Sequence, residues 1–232
     1  MIDKNRLISR AADCNIDVSH CIDGLARYAE ILVEYNKKVN LTAITDAEGI
    51  EQKHFLDCLL FANLPQVNGS LVDVGTGAGF PGVVAKLYKP ELRLTLMEPT
   101  GKRIDFLKYL CAELSIDAEF AKERAEEAAR KKWRESFDVA SARAVAAMNM
   151  LSEYCLPLVK PGGYFIAMKA DVAEELSAAQ SAIEKLGGKY EQTLQFTLPN
   201  GNSRSIVICK KISQTSSVYP RNGGKISKSP LK

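Results

Sequence analysis

Apolar positions near the start of the chain recur at helical spacing. Ile22, Leu25, Ala29, Leu32 and Val33 share one helix face, with Asp23, Arg27, Glu30 and Glu34 opposite. A second helical run over 46–63 carries Phe55, Leu56, Leu59 and Leu60 and ends before Pro65. Between them, YNKKVNLTAIT is too polar and too β-branched for a good helix, so residues 1–65 read as a helix–loop–helix cap. From Leu71 the pattern changes. Short apolar runs at 71–74, 92–97, 118–121, 137–142 and 163–169 alternate with helical stretches at 81–88, 100–114, 124–132, 147–158 and 171–186. This alternation predicts an α/β domain, a doubly wound parallel sheet with helices on both faces. The ending departs from it. Runs at 190–196 and 204–210 are joined by LPNGNS with no helix between, so the last strand must run antiparallel. The expected sheet has seven strands, mainly parallel, within a domain spanning 66–212, followed by a tail, 213–232.

Composition changes this picture little. Hydrophobic content of 46% and charged content of 25% are ordinary for a globular chain. No run approaches the roughly 20 apolar residues of a membrane span, and the first residues lack a signal-like apolar core, so a cytoplasmic location is expected. Six cysteines without a C-x-x-C pair, and only two histidines, leave a zinc site almost no ligands, so no metal is expected. Net charge is only +3, but Lys210, Lys211, Arg221, Lys225, Lys228 and Lys232 crowd the end of the chain with no acid among them. A basic, Ser/Gly/Pro-rich tail reads as a mobile extension attracted to polyanions.

The candidate chemistry begins at LVDVGTGAGFPG, 71–82, where an apolar strand breaks into Gly75, Gly77 and Gly79. Glycine lets the backbone turn sharply and approach a ligand. From Gly77, GAGFPG fits the dinucleotide pattern G-x-G-x-x-G; from Asp73, the run fits D-x-G-x-G-x-G, the first motif of S-adenosylmethionine-dependent methyltransferases. Gly77 comes three residues after Val74, too late to close a dinucleotide strand, and Pro81 removes an N–H from the helix end that would face a pyrophosphate. Asp73 places a carboxylate suited to a methionine amino group or a sulfonium. The methyltransferase reading, a class I Rossmann-like domain with S-adenosyl-L-methionine as cofactor, is the better fit. Glu98 ends the second strand, where a carboxylate accepts ribose hydroxyls in either family. Ala125 and Glu126 follow the third strand, on the adenine side.

The acceptor is narrowed by what is missing. SARAVA ends the fourth strand, so the Asn/Asp-Pro-Pro-aromatic run that grips exocyclic amines is absent. Cys155 falls in a predicted helix, a poor place for a carbon-5 nucleophile, and Arg143 stands where a 2′-hydroxyl enzyme would carry Asp. A ring nitrogen such as guanine N7 has a free lone pair and needs no general base. Arg143 and Lys169, at strand ends, are candidates to orient guanine, since cationic donors read its O6. Asn40, Thr42, His54 and Arg204 are candidates on the substrate side. A protein or small-molecule acceptor is the alternative for the same cofactor site.

NLTAI (40–44), HFLDCLL (54–60), LVDVGTGAGFPG (71–82), GKRIDFL (101–107), RAEE (124–127), SARAVA (141–146) and LPLVKPGG (156–163) together resemble the RsmG family, also called GidB. These are bacterial methyltransferases of guanine N7 in 16S ribosomal RNA. The resemblance runs from about Tyr35 to Arg221. It implies a helical cap on a class I methyltransferase domain that acts on a guanine in the 530 loop of the small subunit; a monomer without membrane attachment, working on 16S ribosomal RNA or a 30S particle, is expected. It also implies cofactor contacts at Gly75, Phe80, Ala125, Glu126 and Arg143.

Overall fold

The computed structural model describes residues 1–232. Seven strands form one sheet: β1 (Ser70–Val74), β2 (Arg93–Met97), β3 (Ala118–Ala121), β4 (Phe137–Arg143), β5 (Val159–Lys169), β6 (Gly188–Thr197) and β7 (Ser203–Lys211). Their order is β3-β2-β1-β4-β5-β7-β6. β1 to β5 pair in parallel, while β7 lies antiparallel between β5 and β6. LPNGNS is the hairpin turn that reverses β7, with Gly201 at φ +81°.

β1 is buried along its whole length, as a central parallel strand must be. Leu71 packs into the core on the cap side with Leu94, Leu96, Val139 and Ile166, whereas Val72 and Val74 face the other core, with Ala140, Phe165 and Val207. Helices α5 (Gly82–Tyr88) and α6 (Gly101–Glu113) cover the first face. The second face is covered by α7 (Ala125–Ala128), α8 (Met148–Cys155) and α9 (Ala173–Lys185). α7 is much shorter than the expected helix over 124–132, because the chain turns after Ala128 to bury Trp133 against Phe137.

The cap contains α1 (Lys4–Ala12), α2 (Ile22–Asn36), α3 (Ala47–Gly49) and α4 (Asp57–Ala62). The single helix expected over 46–63 is instead interrupted by a π-helical segment, Ile50–Leu56. Fully buried Glu51 in that segment receives Arg6 at 2.6 Å and Arg10 at 3.3 Å, which pins α1 to the cap.

The C-terminal segment corrects the expectation of a mobile tail. Arg221 is clamped on fully buried Glu153 at 2.7 Å, and Arg134 donates to the Tyr219 carbonyl at 2.9 Å. A short helix, α10 (Gly223–Lys228), buries Ile226, and Leu231 is buried beyond it. The physical reason is that a buried carboxylate needs a partner, and the basic tail supplies one. No helix is long and apolar enough to cross a membrane.

Candidate active site

The sheet order reverses between β1 and β4, and the crevice outside their carboxyl ends is where open α/β sheets bind ligands. Two adjoining cavities of about 570 and 500 Å³ lie there, sharing Gly75, Arg103 and Ala144 in their walls.

The glycine run forms the divide. Gly77 has φ +59°, and a Cβ there would meet nothing nearer than the Gly75 carbonyl at 3.9 Å, so the backbone lies open to a ligand. Gly79 has a different reason to be glycine: a Cβ would strike the Tyr28 hydroxyl at 2.7 Å and Val83 at 2.8 Å, so it admits the cap. Asp73 also departs from expectation. It faces the protein interior, fully buried, and lines neither cavity. Its Oδ2 accepts from Thr76 Oγ1 at 2.6 Å and the Gly82 N–H at 2.8 Å, and its Oδ1 from Ser141 Oγ at 3.0 Å. Asp73 and Ser141 are register partners across β1 and β4, which is why those side chains meet. Burial pushes the Asp73 carboxyl up to about 6 despite these donors. Asp73 ties the loop to β4 and to the start of α5 through these three bonds.

The 570 Å³ cavity is lined by Gly75, Glu98, Ala125 and Glu126, among others. Glu98 is buried between the Thr100 N–H at 2.9 Å and the Gly77 N–H at 3.2 Å, with carboxylate lone pairs to spare. An open backbone cradle beside two buried carboxylates fits an adenosine: hydroxyl and amino donors for the acids, a thin moiety against Gly77.

The 500 Å³ cavity brings together Thr42, His54, Gly75, Gly77, Phe80, Arg143, Lys169 and Arg204, all singled out in the sequence. Asn40 stays exposed and outside its lining. Phe80 stacks on Tyr28 at 5.1 Å and on His54 at 4.4 Å, with the Arg143 guanidinium 4.9 Å from its ring. Arg143 Nη1 donates to the Lys53 carbonyl at 3.0 Å and Asp57 Oδ2 at 3.1 Å, and Nη2 to His54 Nδ1 at 3.2 Å. Burial and the Arg143 charge together drive the His54 imidazolium down to about 3. Lys169 lines the cleft with its charge already held by Glu175 at 2.6 Å and the Ala146 carbonyl at 2.9 Å.

Sequence reasoning took Arg103 only as part of a basic group favouring RNA, and it missed Asp57. Asp57 sits between Arg143 and Arg204, whose Nε is 3.3 Å from Oδ1. A net upward shift of its carboxyl means that burial outweighs both guanidinium charges. The available signal was a lone acid in the apolar run HFLDCLLFA, since buried acids require partners.

The antiparallel β7, the glycine loop after β1 and the carboxylate ending β2 define a class I S-adenosylmethionine-dependent methyltransferase. Among solved structures, a methyltransferase from Pyrococcus furiosus shares the fold with a TM-score of 0.57, over 81% of this chain and 98% of its own, at 15% identity. The chain belongs to the GidB family, rRNA small subunit methyltransferase G, whose model matches residues 22–207. It is 46% identical over 217 residues to the ribosomal RNA small subunit methyltransferase G of Alkaliphilus metalliredigens, covering 91% of each. With the protein of that name from Staphylococcus epidermidis it shares 47% identity over 210 residues, covering 88% of each.

Proposed function

We propose that this chain transfers the methyl group of S-adenosylmethionine to N7 of a guanine in the 530 loop of 16S ribosomal RNA, acting as a cytoplasmic monomer on the RNA or a 30S particle. The observation that carries the acceptor is that the 500 Å³ cavity offers no free proton acceptor. Its only imidazole and carboxylate groups are His54 and Asp57, and its Lys169 amine is engaged by Glu175. His54 has Nδ1 occupied by Arg143, and Asp57 is held between two guanidiniums. Such a cleft suits a nucleophile that already carries its lone pair.

When bound, the cofactor supplies an electrophilic methyl group on a sulfonium. Gly77 provides the close backbone approach; Glu98, Ala125 and Glu126 hold the adenosine end; Gly75, Phe80 and Arg143 face its other end. Arg143 keeps Nε–H and one Nη2–H unpartnered, donors for the acceptor base or the cofactor. Lys169 is a weaker orienting candidate, because Glu175 neutralises it. Catalysis then rests on alignment of a lone pair with the methyl–sulfur bond in a preorganised site.

The test is tritiated methyl transfer to 30S particles, naked 16S RNA and stripped ribosomal proteins in parallel. Label in RNA is the expected result; label confined to protein would move the acceptor, and label nowhere would leave a binding protein with a relic pocket.

A further inference from the structure

We infer that the Thr42 hydroxyl is a fixed hydrogen-bond donor that reads O6 of the acceptor guanine and rejects adenine, an inference that rests on the function proposed above.

The loop after α2 is held before any ligand arrives. Asn36 Oδ1 accepts from the Leu41 N–H at 2.8 Å and the Thr42 N–H at 3.0 Å, and Asn36 Nδ2 donates to the Thr42 carbonyl at 3.0 Å. Thr42 Oγ1 accepts the Ile44 N–H at 3.1 Å and lies 3.0 Å from His54 Nε2.

The direction of that last bond follows from its neighbour. His54 Nδ1 faces Arg143 Nη2 at 3.2 Å, and a guanidinium can only donate. Nδ1 is therefore the acceptor, and the neutral ring carries its proton on Nε2, which donates to Thr42 Oγ1. A hydroxyl has two lone pairs and one proton. Both lone pairs of Thr42 are taken, by His54 and Ile44, and no protein group accepts its proton. What remains for a ligand is one donor on the wall of the cleft that also holds Arg143 and Phe80.

A freely turning hydroxyl would accept from an amine as readily as it donates to a carbonyl. This one cannot turn without breaking its bond to His54 or Ile44. Guanine presents O6, an acceptor, beside N7; adenine presents the N6 amine, a donor, at the same place. A donor aimed at O6 accepts guanine, leaves N7 free for the methyl group, and confronts adenine with a second donor.

The experiment uses the full chain with Thr42→Val, Thr42→Ala and Thr42→Ser. Methyl transfer is measured to transcripts carrying guanine or adenine at the target position, with cofactor affinity measured by calorimetry. Loss of one neutral hydrogen bond should lower kcat/KM on the guanine transcript about tenfold in Val and Ala. The guanine-over-adenine ratio should fall with it, cofactor Kd should stay within about twofold, and Ser should restore both. An unchanged ratio in Val and Ala overturns the inference. So does cofactor Kd weakened as much as kcat/KM, which would give the hydroxyl to the cofactor. Thr42→Ala, a simple truncation, decides the matter if Val does not fold. Absence of N7-methylguanine from the wild-type reaction on transcripts and on 30S particles alike would refute the proposed function itself, independently of Thr42.

Discussion

His54 remains a neutral imidazole well below the pH at which an exposed histidine charges. It is buried, stacked on Phe80, and presents Nδ1 to a guanidinium. A proton on Nδ1 would set two donors and two positive charges against each other. In the unfolded chain the ring protonates near 6.5; in the native protein it does so at about 3. The unfolded state therefore binds the extra proton as pH falls through 6.5, and native stability drops with it. Each pH unit below 6.5 is worth about 1.4 kcal/mol, so moving from pH 7.5 to pH 5 should remove about 2 kcal/mol. For a chain of this size that is a fall in Tm of roughly 4–8 °C. Denaturant unfolding at both pH values, compared with His54→Gln, isolates the effect, because Gln offers hydrogen bonds without a titration. The wild type should lose about 2 kcal/mol more than the variant over this interval. A proton NMR titration gives the site directly, since His20 contributes the only other imidazole signal. Equal losses in the two proteins, or a His54 signal that titrates near 6.5, would refute the reasoning.

Three further outcomes are expected. Gly77→Val should cost about 1–2 kcal/mol for its left-handed backbone while abolishing cofactor binding by calorimetry, and retained affinity would count against the cradle. Asp73→Ala should lose about 1–3 kcal/mol in chemical denaturation, because the Gly82 N–H is orphaned in the interior; a neutral result would mean the loop is held otherwise. Arg221→Ala strands the buried Glu153 carboxylate, costs about 3–5 kcal/mol, and should speed hydrogen exchange across 219–231; unchanged protection there would leave the strap anchored elsewhere.

The sheet was legible because central parallel strands are apolar along their length, and Ser70–Val74 and Arg93–Met97 lie almost where the runs at 71–74 and 92–97 place them. The antiparallel ending was legible from the missing helix between the last two strands. Asp73 was read as a cofactor group from its spacing beside the glycines, and in the fold its side chain turns toward Gly82 and its cross-strand partner Ser141. Such a preference is decided by a cross-strand register that no local pattern contains. The packed C-terminal segment was hidden for a similar reason: its charge pattern suggests solvent, and only the fold shows that Glu153 waits beneath Arg221. The Arg143–Asp57–Arg204 cluster joins residues from three distant segments, so its members could be proposed singly but not as a network.

The central claim is that the acceptor is a guanine N7. Small-subunit RNA from the complete reaction, treated with borohydride and then aniline, should break at one guanine in the 530 loop, and the untreated or cofactor-free controls should not. Methyl incorporation without cleavage would place the group on another atom and contradict the account.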